Sequence, residues 1–114
     1  MKIAVIGSRN AWVDDLSPYL PYETTEIVSG GAKGIDACAK EYAIQHNIPY
    51  TEFLPDYHRY RRGAPLRRNL EIIAYSDFVL AFWDGQSKGT KFVIEQCQKQ
   101  NVPIEIIHIE NPLA

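Results

Sequence analysis

Five short apolar runs alternate along this chain with segments of helical period, and that alternation constrains the fold more than any other feature. The runs are residues 2–6, 24–28, 48–53, 77–83 and 104–109. After the charged residues Lys2 and Asp77 that open them, the runs 2–6 and 77–83 are continuously apolar, which suits strands buried on both faces. Pro49 is tolerable at the start of a strand. Between the runs, Ile35, Cys38, Ala39, Tyr42 and Ala43 recur at helical spacing. So do Leu66, Leu70, Ile73 and Ala74, and then Thr90, Val93, Ile94 and Cys97. A shorter helix is expected over residues 12–20, capped by Asn10 and ended by Pro21, although Pro18 sits within it. Alternating strands and helices with right-handed crossovers give a parallel sheet with helices on both faces. The expected architecture is a three-layer α/β/α domain with five strands in the order 3-2-1-4-5 and a switch point between strands 1 and 4. No repeat, linker or low-complexity tract divides the chain, so residues 1–114 read as one domain.

In such a sheet the strand-to-helix loops share one edge, where ligands bind. Here those loops are Gly7-Ser8-Arg9 and residues 29–36, 57–69 and 84–90, the polar, glycine-rich and basic parts of the chain. Loops at the opposite edge, near Asn47 and Asn101, hold little chemistry. Ser29-Gly30-Gly31-Ala32-Lys33-Gly34-Ile35-Asp36 joins a strand to a helix. A turn of that kind collects bare N–H groups and the positive end of the helix dipole at one point, which attracts phosphate. Asp84-Gly85-Gln86-Ser87-Lys88-Gly89-Thr90 is a second such turn. Lys33 and Lys88 supply charge to these turns, and Ser29, Ser87 and Thr90 supply hydroxyls. Ser87 equally suits a helix cap. Neither turn is a Walker loop, and Gly7-Ser8-Arg9-Asn10 lacks the later glycines of a dinucleotide fingerprint.

Residues 55–65 form a long, basic, aromatic stretch without a clear period, and long loops of this kind are commonly functional. Arg67, Arg68 and Asn69 then open a helix, where cations oppose the dipole. Bidentate phosphate recognition would explain that placement, as would a solvated basic face. Tyr57 and Tyr60 are the better candidates for stacking on a base, ahead of Trp12 and of Trp83, which ends a buried strand. Asp36 and Glu95 are the carboxylates considered for ribose hydroxyls or catalysis, with dipole complementation and plain exposure as their structural alternatives. His58 joins no nucleophile–base–acid set. No acid cluster or His/Cys pair indicates a metal, and no cofactor is expected. Cys38 and Cys97 sit in apolar stripes and read as packing residues.

The net charge of −2 and pI near 5.9 provide no overall basic field, so nucleic acid is not the expected partner. No apolar run approaches the roughly 18 residues of a membrane span. The first strand begins where a leader would stand, so a cytoplasmic location is expected. Apolar residues on an exposed helix face would support a homodimer or a higher homo-oligomer.

The strings Ile6-Gly7-Ser8-Arg9, Val28 through Asp36, Pro65-Leu66-Arg67-Arg68-Asn69 and Ala81 through Thr90 occur in that order. Together they resemble the SLOG superfamily, specifically its small YspA/YpsA-related branch. The superfamily also contains the DNA-processing Smf proteins and the lonely-guy phosphoribohydrolases. The resemblance implies a Rossmann-like fold that binds nucleotides or nucleotide-derived ligands at these turns, as a sensor or as a signalling or anti-phage component. It implies no agreed reaction. Lonely-guy enzymes cleave the base from a nucleoside monophosphate with an arginine and a glutamate close after Gly-Thr. Here Lys91 and Phe92 follow Gly89-Thr90, and the nearest glutamate is Glu95. Glu95 with Arg68 would be the catalytic pair of that alternative. A second alternative is a single-strand nucleic-acid module using the arginine loop. Ligand binding is the expected function, with Gly7, Ser8, Arg9, Ser29, Gly30, Gly31, Lys33, Gly34, Asp36, Tyr57, Tyr60, Arg67, Arg68, Asn69, Asp84, Gly85, Ser87, Lys88, Gly89 and Thr90 around the ligand.

Overall fold

Ile3 and Val5 point to one side of the first strand while Ala4 and Ile6 point to the other, and all four are buried. Leu80 and Phe82 oppose Val79 and Ala81 in the same way, so the central strands need cover on both faces. The computed structural model describes residues 1–110; residues 111–114, read above with the domain, lie outside the described residues. Strands β1 (Lys2–Gly7), β2 (Glu26–Ser29), β3 (Tyr50–Glu52), β4 (Phe78–Trp83) and β5 (Ile104–His108) form one parallel sheet ordered 3-2-1-4-5. Helix α1 (Ile35–Gln45) covers one face through Ile35, Ala39 and Ala43. On the other face lie α3 (Ala64–Tyr75) through Ile72 and Ile73, and α4 (Lys88–Gln100) through Val93, Ile94 and Cys97. The result is a Rossmann-like α/β fold.

Two expectations about local structure need correction. No helix forms over residues 12–20. Asp15 Oδ1 accepts the Ser17 amide at 2.9 Å, and the Leu16 carbonyl accepts the Tyr19 and Leu20 amides at 3.0 and 3.3 Å. Pro18 has no amide to propagate a helix, so the segment closes a single turn. Leu16 is buried beneath it, and Tyr19 meets the Phe82 ring edge-on at 5.2 Å. Residues 8–25 therefore cross from β1 to β2 as an irregular flap. Residues 55–65, read as a loop, are largely helical. Asp56 Oδ1 accepts the Arg59 amide at 3.1 Å and caps the one-turn helix α2 (Tyr57–Tyr60). A 3-10 turn (Arg61–Gly63) leads directly into α3, which starts one residue before Pro65.

Candidate functional site

From β1 the chain turns toward β2, and from β4 it turns toward β5, so the loops leaving these neighbours diverge. The gap between them is a cleft of about 440 Å³ at the C-terminal edge of the sheet. Gly7, Ser8 and Arg9 form one wall and Asp84, Ser87, Gly89 and Thr90 the opposite wall. Asp36, Arg68 and Asn69 close its back, and Pro65, Leu66 and Val93 give it apolar surface.

The β4–α4 turn leaves donors free. Asp84 Oδ1 accepts the Gln86 and Ser87 amides at 2.9 and 2.8 Å, an Asx turn that fixes the approach to the helix. These bonds hold the Asp84 carboxyl below its ordinary range. Trp83 Nε1 donates to the Ser87 carbonyl at 3.1 Å. Ser87 occupies the N-cap position but caps nothing; its Oγ lies 3.2 Å from Thr90 Oγ1. Among the described residues, no acceptor takes the amides of Lys88, Gly89 or Thr90. The first amides of a helix require an outside partner. Across the cleft, Ser8 is 3% exposed and its hydroxyl has no hydrogen-bond partner. A buried hydroxyl without a partner carries a desolvation cost of about 1–3 kcal/mol.

The Ser29–Asp36 turn behaves differently, because its buried side chains, Ser29 and Asp36, are bonded within the fold. Ser29 Oγ donates to the Val5 carbonyl at 3.0 Å, Asp36 Oδ2 accepts the Ala32 amide at 3.2 Å, and the Ser8 carbonyl accepts the Ile35 amide at 3.3 Å. Gly34, at φ +70°, carries the chain into α1 against the Ser8 and Arg9 carbonyls. Arg68 reaches in from α3. Its Nη1 donates to the Gly30 carbonyl at 2.6 Å and the Phe53 carbonyl at 3.4 Å, and its Nε donates to Asn69 Oδ1 at 2.9 Å. Nη2 has no protein partner among the described residues, and Arg68 lines the cleft. Burial raises the Asp36 pKa, opposed by the Ala32 amide and the charge of Arg68. Burial also lowers the Arg68 pKa, with the Asp36 charge opposing it.

The two cleft carboxyls therefore respond oppositely to pH. Asp36 has a folded pKa above its unfolded value of 3.8, so the stability it lends is present below 3.8 and is lost as pH rises to its folded value. Asp84 has a folded pKa below 3.8, so its contribution is present above 3.8 and is lost as pH falls to its folded value. Thermal melts across pH should show Asp36→Asn gaining on the wild type above pH 3.8 and Asp84→Asn losing to it as pH rises toward 3.8. Parallel curves for both variants would contradict these assignments.

Of the residues expected around a ligand, Gly7, Ser8, Arg9, Asp36, Arg68, Asn69, Asp84, Ser87, Gly89 and Thr90 line the cleft. Ser29, Gly30 and Gly34 form the framework behind it. Gly31, Lys33, Gly85 and Lys88 are exposed and outside its lining. Tyr57, Tyr60 and Arg67 also lie outside, grouped where α2 meets α3. Glu95 is exposed on α4, beyond the cleft wall. Sequence reasoning missed Ile6, Asn10, Ala32, Pro65, Leu66, Gln86 and Val93 as cleft residues. Asn10, Ala32 and Gln86 were findable as neighbours within turns already singled out, and Pro65 and Leu66 within the Pro65–Asn69 string, whereas Ile6 and Val93 carried a core signal. Among the described residues no group of three His, Cys, Asp or Glu side chains is placed to hold a metal ion, and no helix is long and apolar enough to cross a membrane.

The strand order, with a cleft at its switch point, defines a Rossmann-like α/β class of fold. The chain belongs to the YspA, cpYpsA-related SLOG family, whose model matches residues 1–60. The Gene 61 protein of Mycobacterium phage D29 is similar to it, at 30% identity over 120 residues that cover 90% of this chain and 93% of that protein. No solved structure matches. Membership of the SLOG family suggests a nucleotide-related function.

Proposed function

We propose that the protein binds a nucleotide or nucleotide-derived ligand in the β1/β4 cleft. The observation that carries this is that the uncapped N-terminus of α4 and Ser8, whose buried hydroxyl has no hydrogen-bond partner, line the same cleft. A phosphate there accepts from the amides of residues 88–90 and from Ser8, and it complements the helix dipole. Arg9 and the free Nη2 of Arg68 add charge-assisted donors. Pro65 and Leu66, the latter 44% exposed, offer a base apolar surface. Glycosidic hydrolysis through Glu95 has no support in this arrangement, since Glu95 does not line the cleft. Binding alone is the better reading.

A thermal-shift panel of adenine nucleotides and ADP-ribose-type compounds tests it. A Cβ on Gly89 would meet nothing within 4 Å, so Gly89→Asp is sterically allowed. It puts a carboxylate in the first turn of α4, where the dipole favours it by about 0.3–1 kcal/mol. The expected result is unchanged or higher Tm and loss of the ligand shift, while Lys33→Ala keeps the shift. No shift from any nucleotide with the wild type would refute the proposal.

A further inference from the structure

Residues 57–70 contain five arginines and one histidine and no aspartate or glutamate. Arg59, Arg61, Arg62 and Arg67 are exposed, and the ion pair within 4.0 Å among the described residues is elsewhere, between Lys40 and Glu52. Asp56, the acid that flanks the segment, is used in capping α2. The chain thus has a local cationic surface despite its net charge of −2. Aromatic rings are built into it. The Tyr60 ring has the Arg59 guanidinium 5.1 Å and the Arg67 guanidinium 4.9 Å from its centroid, and Tyr57 is 55% exposed beside them.

The backbone gives a second, independent observation. Arg61 has φ +54° and ψ −126°, a conformation that glycine adopts readily and other residues resist. Its side chain makes no contact that would explain its presence: it is exposed and donates no hydrogen bond among the described residues. A chain shaped for stability alone would carry glycine here. Arginine at a strained, exposed position is accounted for when its guanidinium has work outside the fold.

We infer that residues 57–62 together with Arg67 form a docking surface for single-stranded nucleic acid. The arginines hold the phosphodiester backbone, and Tyr57 with the Tyr60–arginine stack receives unpaired bases. Stacked rings among guanidinium groups favour a strand with exposed base faces over a lipid surface, which needs charge alone. The inference is independent of the cleft.

The test is fluorescence anisotropy of a labelled oligothymidylate of about 16 nucleotides with the intact protein. With four arginines engaged, affinity should fall roughly 50-fold between about 50 mM and about 200 mM salt. Arg61→Gly should raise Tm by a few degrees and yet weaken binding, with the salt slope smaller by about 0.7. Tyr57→Ala should weaken binding about tenfold with the slope unchanged. The triple variant Arg59→Gln, Arg61→Gln, Arg62→Gln should fold normally and lose most of the affinity. Absence of binding at about 50 mM salt overturns the inference, as does full affinity in the triple variant. Equal affinity for a duplex, or for phosphatidylserine vesicles, also overturns it.

Discussion

Gly34→Ala is expected to be the most destabilising small substitution in this protein, costing more than about 3 kcal/mol. Two causes add. At φ +70° an L side chain costs roughly 1–2 kcal/mol. A Cβ there would also lie 2.5 Å from both the Ser8 and Arg9 carbonyl oxygens, which are backbone and cannot swing aside. Relief requires α1 to move off β1, which loosens the Ile35 amide from the Ser8 carbonyl and the Ile35 side chain from the core. Gly85→Ala is the control. Its φ is +83°, but a Cβ there meets nothing within 4 Å, so only the conformational cost applies. Thermal denaturation should separate the pair, with Gly34→Ala lower by roughly 15 °C or more and Gly85→Ala by less than about half of that. Similar Tm values for the two variants would show that close approach at the α1 N-terminus is unimportant.

Arg68→Ala is expected to cost about 3–5 kcal/mol, a large effect for a side chain expected from sequence to hold a ligand. The guanidinium connects three elements. From α3 it reaches the Gly30 carbonyl in the β2–α1 turn and the Phe53 carbonyl beyond β3, and it steadies Asn69 beside it. Truncation leaves the buried Gly30 carbonyl without a donor and removes the cation whose charge opposes the burial of Asp36. Arg68→Lys keeps the charge, but a single ammonium lacks the planar fork, so an intermediate loss is expected. Urea unfolding measures both, and Asp36→Asn added to Arg68→Ala should restore part of the loss. An Arg68→Ala protein as stable as the wild type would remove Arg68 from this framework. Loss of ligand binding in Arg68→Ala therefore needs to be read alongside its folded fraction.

The sheet was legible because strand runs and helical stripes alternate cleanly, and short parallel crossovers leave few orders open. The 12–20 segment misled because its apolar residues approximate a helical stripe, whereas Pro18 and the Asp15 side chain decide the local hydrogen bonding. Residues 55–65 hid their helical turns because an Asp56 cap and a four-residue helix are too short to show a period. At the site, the positions of the glycine-rich turns were readable, but which of their groups bond within the fold was not. Nothing in Ser29 through Asp36 announces that Arg68, 38 residues away from Gly30, will occupy that carbonyl. The unpartnered state of Ser8 likewise follows from burial between β1 and β4, a property of the assembled edge. Glu95 falls on the solvent side of α4 because Val93, Ile94 and Cys97 claim the inner side.

The flap over residues 8–25 is tied to the body at its two ends, where the Ser8 amide donates to the Phe82 carbonyl at 3.2 Å and the Thr25 amide to the Met1 carbonyl at 2.9 Å, and between them by the Val13 amide donating to Cys38 Sγ at 3.3 Å. Helices and central strands on either side carry continuous ladders. Opening this segment therefore costs less than opening any layer it covers, so amide exchange reports it as its own cooperative unit. Ser8 stays pinned to β4 through its amide and to α1 through its carbonyl, so the part of that rim free to open with the flap begins at Arg9, while the opposite rim is anchored in α4. For the ligand proposed above, entry and release would need yielding on one side alone, without disturbing the sheet beneath.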